Sequence, residues 1–142
     1  MDRVGSAGAE ALRLRARKFA HRVLAAFRAL DRSAESRILG GQMLRAGTSV
    51  AANYRAACRA RSRREFIAKL GVVAEESDET QFWLEFFAEA GMLNTQKVAP
   101  LVDEAGQLTA IFSASLHTAR TRTKSPKPQI QITRSPDSPI TR

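Results

Sequence analysis

"AGTSVAANYRAACRARSRREF", residues 46–66, decides how the rest of the chain is read. It opens on Gly47, Thr48 and Ser49, all indifferent helix formers, and runs into Arg55, Arg59, Arg61, Arg63 and Arg64 before the first acid, Glu65. A phosphate-cradling loop, a basic handle for a polyanion, and a helix that packs through small residues all fit that composition. Spacing separates them. The GxxxxGK[ST] pattern is absent, and no strand-like segment precedes Gly47, so a phosphate loop is excluded.

Helical spacing does hold. From Arg37 to about Arg59 one stripe is Leu39, Met43, Ala46, Val50, Asn53 and Ala57, and a second is Leu44, Gly47, Ala51, Tyr54 and Cys58. Two adjacent seams predict a helix that touches neighbours over a wide arc. Gly47 costs about 1 kcal/mol against alanine in a helix interior, which close approach of a second helix can offset. Asn53 on the seam needs a partner for its amide.

Working outward, Leu12, Ala16, Phe19, Val23, Ala26 and Leu30 form the stripe of a first helix over residues 9–31, and "DRSAES" offers Asp31, Ser33 or Ser36 as the next cap. "SRRE" at 62–65 reads as a capping box between Ser62 and Glu65. It starts a third helix with Phe66, Leu70, Val73, Ser77, Thr80, Leu84 and Phe87 on its stripe and Gly91 to end it. Asn94 or Thr95 caps a fourth, with Val98, Leu101, Ala105, Leu108, Phe112, Ser115 and Ala119 in line. Pro100 predicts a mild bend or a late start there.

The expected fold is all-α, an up-and-down four-helix bundle over residues 9–121. Residues 1–8 are expected to be a flexible N-terminus. Residues 122–142 hold four of the five prolines and a short repeat, and are expected to be a disordered basic tail. No run reaches a membrane span or a secretory signal, and a lone cysteine, Cys58, excludes an internal disulfide. A cytoplasmic setting is the simplest expectation.

The net charge of +9 is unevenly spread: residues 38–64 carry six arginines and no acid, whereas residues 65–91 carry seven acids against one lysine. That asymmetry suits either an anionic partner or a charge-matched protein assembly. Chemistry finds little purchase. His21 and His117 stand on different helices without a second ligand at metal spacing. Cys58 lies between Arg55 and Arg59 but has no histidine at a fixed offset, so a packed thiol is favoured over a nucleophile. Glu76 and Glu79 have i, i+3 spacing, yet no Glu-x-x-His occurs, which disfavours a di-metal site. The acids Glu75, Glu76, Asp78 and Glu79 are better read as partners for arginines of the first two helices, and Trp83 with Phe82, Phe86 and Phe87 as core or interface. No catalytic residue, metal site or cofactor is expected. The candidate nucleic-acid-binding set is Arg45, Arg55, Arg59, Arg61, Arg63 and Arg64, joined by Arg15, Lys18 and Arg22 of the first helix.

Those same residues carry a resemblance. "QMLRAGTSVAANYRAACRARSRREFIAKL" (42–70) and "DETQFWLEFFAEAGML" (78–93) resemble a bacterial family of four-helix bundle proteins first found encoded in intervening sequences of large-subunit ribosomal RNA genes. Gln42, Arg45, Ala46, Ser49, Val50 and Asn53 match its Q-L-x-R-A-x-x-S-V-x-x-N stretch, and Arg61, Ser62, Glu65, Phe66, Leu70 and Gly91 match the turn and helix end that follow. Tyr54-Arg55-Ala56-Ala57 departs from the Ile-Ala-Glu-Gly that many members carry. The resemblance implies a ring-like homopentamer without established enzymatic activity, similar in fold to the basic accessory protein of diversity-generating retroelements. Two functions stay open at this point: RNA or DNA binding through the arginines, or a structural module docking an acidic protein surface or a neighbouring subunit.

Overall fold

The structure, a computed structural model, describes residues 3–123, with side chains from residue 7 to residue 122. Of the tail predicted over residues 122–142, residues 122 and 123 belong to the last helix and the rest lies outside the described residues. Four helices follow in order: α1 Arg3–Ala29, α2 Ala34–Cys58, α3 Arg63–Glu89 and α4 Thr95–Thr123. No strand occurs among the described residues.

Each boundary has a local cause. Ser33 caps α2, its hydroxyl accepting from the Ser36 amide at 3.2 Å, and Asp31 Oδ1 accepts from the Ser33 amide at 2.9 Å and the Ser36 hydroxyl at 2.7 Å. Ser62 caps α3 by accepting from the Glu65 amide at 3.1 Å. The returned bond differs from the expected box: the Glu65 carboxylate takes the amide of Arg61, one residue earlier than Ser62. Gly91, at φ +72°, closes α3. Its amide donates to Ala88 and the Met92 amide to Phe87, the Schellman pattern that a left-handed glycine permits. Asn94 caps α4 through the Lys97 amide at 2.9 Å.

Two boundaries fall elsewhere than predicted. α1 begins at Arg3, so residues 3–8, expected to be a flexible N-terminus, are helical, with no proline among them to stop the ladder. α4 starts at Thr95 and runs through Pro100 rather than starting late, forgoing the one ladder bond that proline cannot donate.

Neighbouring helices run antiparallel, and named contacts set their register. Gly47 of α2 faces Val23 of α1, and Gly40 faces Leu30 and Phe27. Gly106 of α4 faces Gln81 of α3. α1 meets α4 less extensively than α2 and α3 meet their neighbours. The core is the meeting of four stripes, with Phe19, Met43, Leu70, Leu84, Phe87, Leu108 and Phe112 almost wholly enclosed. On α3 the predicted stripe from Leu70 to Phe87 is buried as a unit. Its Ser77 and Thr80 hydroxyls donate to the carbonyls of Val73 and Glu76, so neither enters the core unsatisfied.

On α2 the buried line runs between the two predicted seams. It takes Gly40, Met43, Gly47, Val50, Tyr54 and Ala57, leaving Leu39, Leu44, Ala51 and Cys58 half-buried on either side. Asn53 is also only half-buried, so its amide is not enclosed and needs no protein partner.

The α1–α2 turn carries a pH dependence. The Ser33 hydroxyl, then the Ser33 amide and the Ser36 hydroxyl, hold the Asp31 carboxyl at about 2, below the usual carboxylate range. Because the folded value is depressed, the contribution is present above the unfolded value of about 4 and is lost as pH falls through about 2. Asp31→Asn should therefore flatten the acid limb of a pH–stability profile over that window, measured by urea unfolding at successive pH values. An unchanged limb would leave the turn without this role.

Candidate nucleic-acid interface

The up-and-down order brings the N-terminal part of α1, the α2–α3 turn and the C-terminus of α4 to one end of the bundle. Arg55 and Arg59 stand one turn apart near the end of α2, and Arg61 and Arg64 flank the Ser62 cap. All four are exposed, and none of their side chains makes an ion pair or hydrogen bond with another described residue. Arg63 reaches across to the Ala119 carbonyl of α4 at 3.5 Å. That contact places the exposed Arg120 and Arg122 of the last α4 turn beside the same turn. Glu65 is the acid at the turn itself, and it is occupied by the Arg61 amide.

Two members of the candidate set are spent elsewhere. Arg45 donates through Nη1 to Glu76 at 3.1 Å and through Nη2 to Glu79, so part of the acidic knot is answered by α2 within the chain. Its half-exposed position limits that network to about 1 kcal/mol. Arg15 donates through Nε to Glu104 of α4 at 3.0 Å and through Nη2 to Gln107 at 2.9 Å. Bonding to Glu104 and to Glu76 raises the affinity of Arg15 and Arg45 for their protons, as charge pairing requires. Both are bundle braces, because four antiparallel helices put the acids of α3 and α4 directly beside them.

Lys18 and Arg22 lie apart from the basic end. With Val23 opposite Gly47, the residue level with Cys58 is near Leu12, so Lys18 and Arg22 sit roughly 10–15 Å up α1. Arg120 and Arg122, with Arg13 of α1 whose charge reaches Tyr54, are residues of this end that sequence reasoning missed. The signal was available: in an up-and-down bundle the fourth helix must end where the second turns into the third.

Beneath the arginines the bundle end is closed by packing. Tyr54 is buried against Phe112 with ring centroids 5.2 Å apart. Burial pushes its phenol well above the usual range; neighbouring Cys58 adds to this and Arg13 opposes it. Cys58 is half-buried against the core, as a packed thiol. Phe66 is half-buried and also rests on the core.

Away from that end, the flank formed by α3 and α4 is acidic and partly apolar. An open groove of about 660 Å³ between α3 and α4 is lined by Glu85, Glu89, Asp103 and Gln107 over Val98 and Val102. No histidine or cysteine lines it. On the outer side of α3, Phe82 is 54% exposed and contacts Trp83 and Phe86. Among the described residues, no three His, Cys, Asp or Glu side chains converge to hold a metal ion, and no helix is long and apolar enough to cross a membrane.

Comparison with known proteins gives the fold a family. Residues 12–114 match the family model described as 23S rRNA-intervening sequence protein. Among solved structures, the chain is similar to a protein of unknown function from Bacteroides thetaiotaomicron, assigned to the S23 ribosomal protein family and determined at 1.70 Å. The two share 26% identity and a TM-score of 0.69, over 74% of this chain and 97% of that one. No curated protein matches the chain.

Proposed function

This chain belongs to the 23S rRNA-intervening sequence protein family, and from that premise we propose that it is a non-enzymatic, oligomeric, cytoplasmic four-helix bundle that binds nucleic acid through its basic end. One observation carries the proposal. Arg55, Arg59, Arg61 and Arg64 stand exposed and without protein partners at the same end of the bundle as Arg120 and Arg122, while Arg15 and Arg45 are paired with acids. Unneutralised guanidinium groups at one end of a rigid bundle supply the phosphate contacts that dominate nucleic-acid affinity.

Self-association rests on a different surface. Arg45 pairs with Glu76 and Glu79, so Ile38, two turns earlier on α2, lies level with Trp83 and Phe86 on antiparallel α3. Ile38 is 68% exposed and Phe82 54% exposed. Large apolar side chains grouped on one flank suit contact with a second subunit.

The test is fluorescence anisotropy of labelled structured RNA and duplex DNA, titrated with the full chain and with a chain ending at Thr123, over a range of salt. Micromolar or tighter binding by both chains near physiological salt is expected. Binding confined to low salt, or lost with the basic tail, defeats the nucleic-acid reading. The basic end then becomes a dock for an acidic protein surface, with sedimentation velocity showing whether that surface is a neighbouring copy.

A further inference from the structure

Resting on that reading, we infer that the basic end selects double-stranded over single-stranded nucleic acid and does so without sequence preference. The inference comes from which chemistry is present at this end and which is missing.

Single-strand binders combine a positive groove with aromatic platforms on which unpaired bases stack. The basic end has the charge and lacks the platforms. Tyr54 is buried against Phe112, and Phe66 is half-buried with its ring packed on the core, so neither stands free as a stacking platform. The exposed aromatic of α3, Phe82, stands 19 residues beyond Arg63, about 28 Å up the helix axis. Glu75 and Asp78 are exposed on α3 between them, so a strand leaving the arginines for the aromatic patch would pass carboxylates.

The arginines also span rather than line. Arg55 and Arg59 belong to α2, Arg61 and Arg64 to the turn and α3, and Arg120 and Arg122 to α4. Adjacent helix axes lie about 8–10 Å apart, and guanidinium arms extend further, so the charges cover a patch about as wide as a duplex. A single strand tracks a narrow groove, whereas a broad patch meets phosphates of both strands at once. Duplex DNA also carries about one charge per 1.7 Å of axis, twice the density of one of its strands. The arginines are spread over a turn and three helix ends rather than along one helix face or β-ribbon, the elements that enter a groove to read base edges. Contacts confined to phosphates position a protein without specifying sequence.

The full chain is titrated against four fluorescent probes at about physiological salt: two 24-base-pair duplex DNAs of unrelated sequence, a 24-base-pair duplex RNA, and a 24-nucleotide oligo-dT. The expected result is at least tenfold tighter binding of the duplexes than of oligo-dT, with the two DNA sequences within about twofold of each other. Arg120→Glu, exposed on the final turn of α4, should weaken duplex binding several-fold and narrow the gap to oligo-dT. Equal or tighter binding of oligo-dT overturns the inference while leaving nucleic-acid binding intact. A tenfold difference between the two DNA sequences overturns its sequence-independent part. No binding to any probe removes the reading on which it rests. The wild-type comparison needs no variant, so a folding defect in Arg120→Glu cannot obscure it.

Discussion

Gly47→Ala should lower the stability of this bundle, although the same exchange in an ordinary helix interior raises it by about 1 kcal/mol. A Cβ built at Gly47 would stand 2.6, 2.8 and 2.9 Å from Cγ1, Cγ2 and Cβ of Val23. Val23 is fully buried, and its branched side chain has little rotamer freedom in a helix. Its Cβ is fixed by the α1 backbone, so relief requires α1 itself to move away from α2. Overpacking costs about 1–3 kcal/mol, and a clash with the fixed Cβ itself puts this site in the upper part of that range, so after the gain of about 1 kcal/mol in helix propensity a net loss of about 1–2 kcal/mol remains. Gly41→Ala is the internal control, since its added Cβ meets nothing within 4 Å and should stabilise. Urea midpoints at constant slope decide the matter. A Gly47→Ala midpoint at or above wild type would mean that α1 and α2 do not approach this closely.

Joint charge reversal of Arg59, Arg61 and Arg64 to Glu should produce the largest functional effect. These side chains have no acid partner to lose, so the fold should tolerate the change, with thermal unfolding as the check. Each phosphate contact contributes about 0.9 to the slope of log affinity against log salt, so the slope should fall by about 3 if all three touch phosphate. Arg45→Gln is the contrasting variant. Its guanidinium is already held by Glu76 and Glu79, so its loss should leave the salt slope unchanged. Should the triple variant instead dissociate an oligomer and leave binding intact, the arginines serve assembly.

Much of the architecture was legible because helical period and caps are local properties. Ser62 with Glu65 and Gly91 with its left-handed backbone are short-range chemistry, readable from neighbours within four residues. The α3 and α4 stripes were equally plain, since one apolar line per helix leaves one choice of buried face. α2 was harder. Two adjacent seams of small and apolar residues fit several orientations, and only the approach of α1 at Gly40 and Gly47 put the buried line between them.

The candidate site divides in the same way. Sequence alone determined that six arginines cluster without acids over residues 38–64 and that a capped turn interrupts them. Tertiary structure decided which of them remain available. Arg45 lies 31 and 34 residues from Glu76 and Glu79, and Arg15 lies 89 residues from Glu104, separations across which no local pattern reports contact. Arg120 and Arg122 joined the basic end for the complementary reason: the antiparallel return of α4 sets residues far apart in the chain side by side. Charge is a property of the residue, whereas its neutralisation is a property of distance, and distance is set by how the four helices pack.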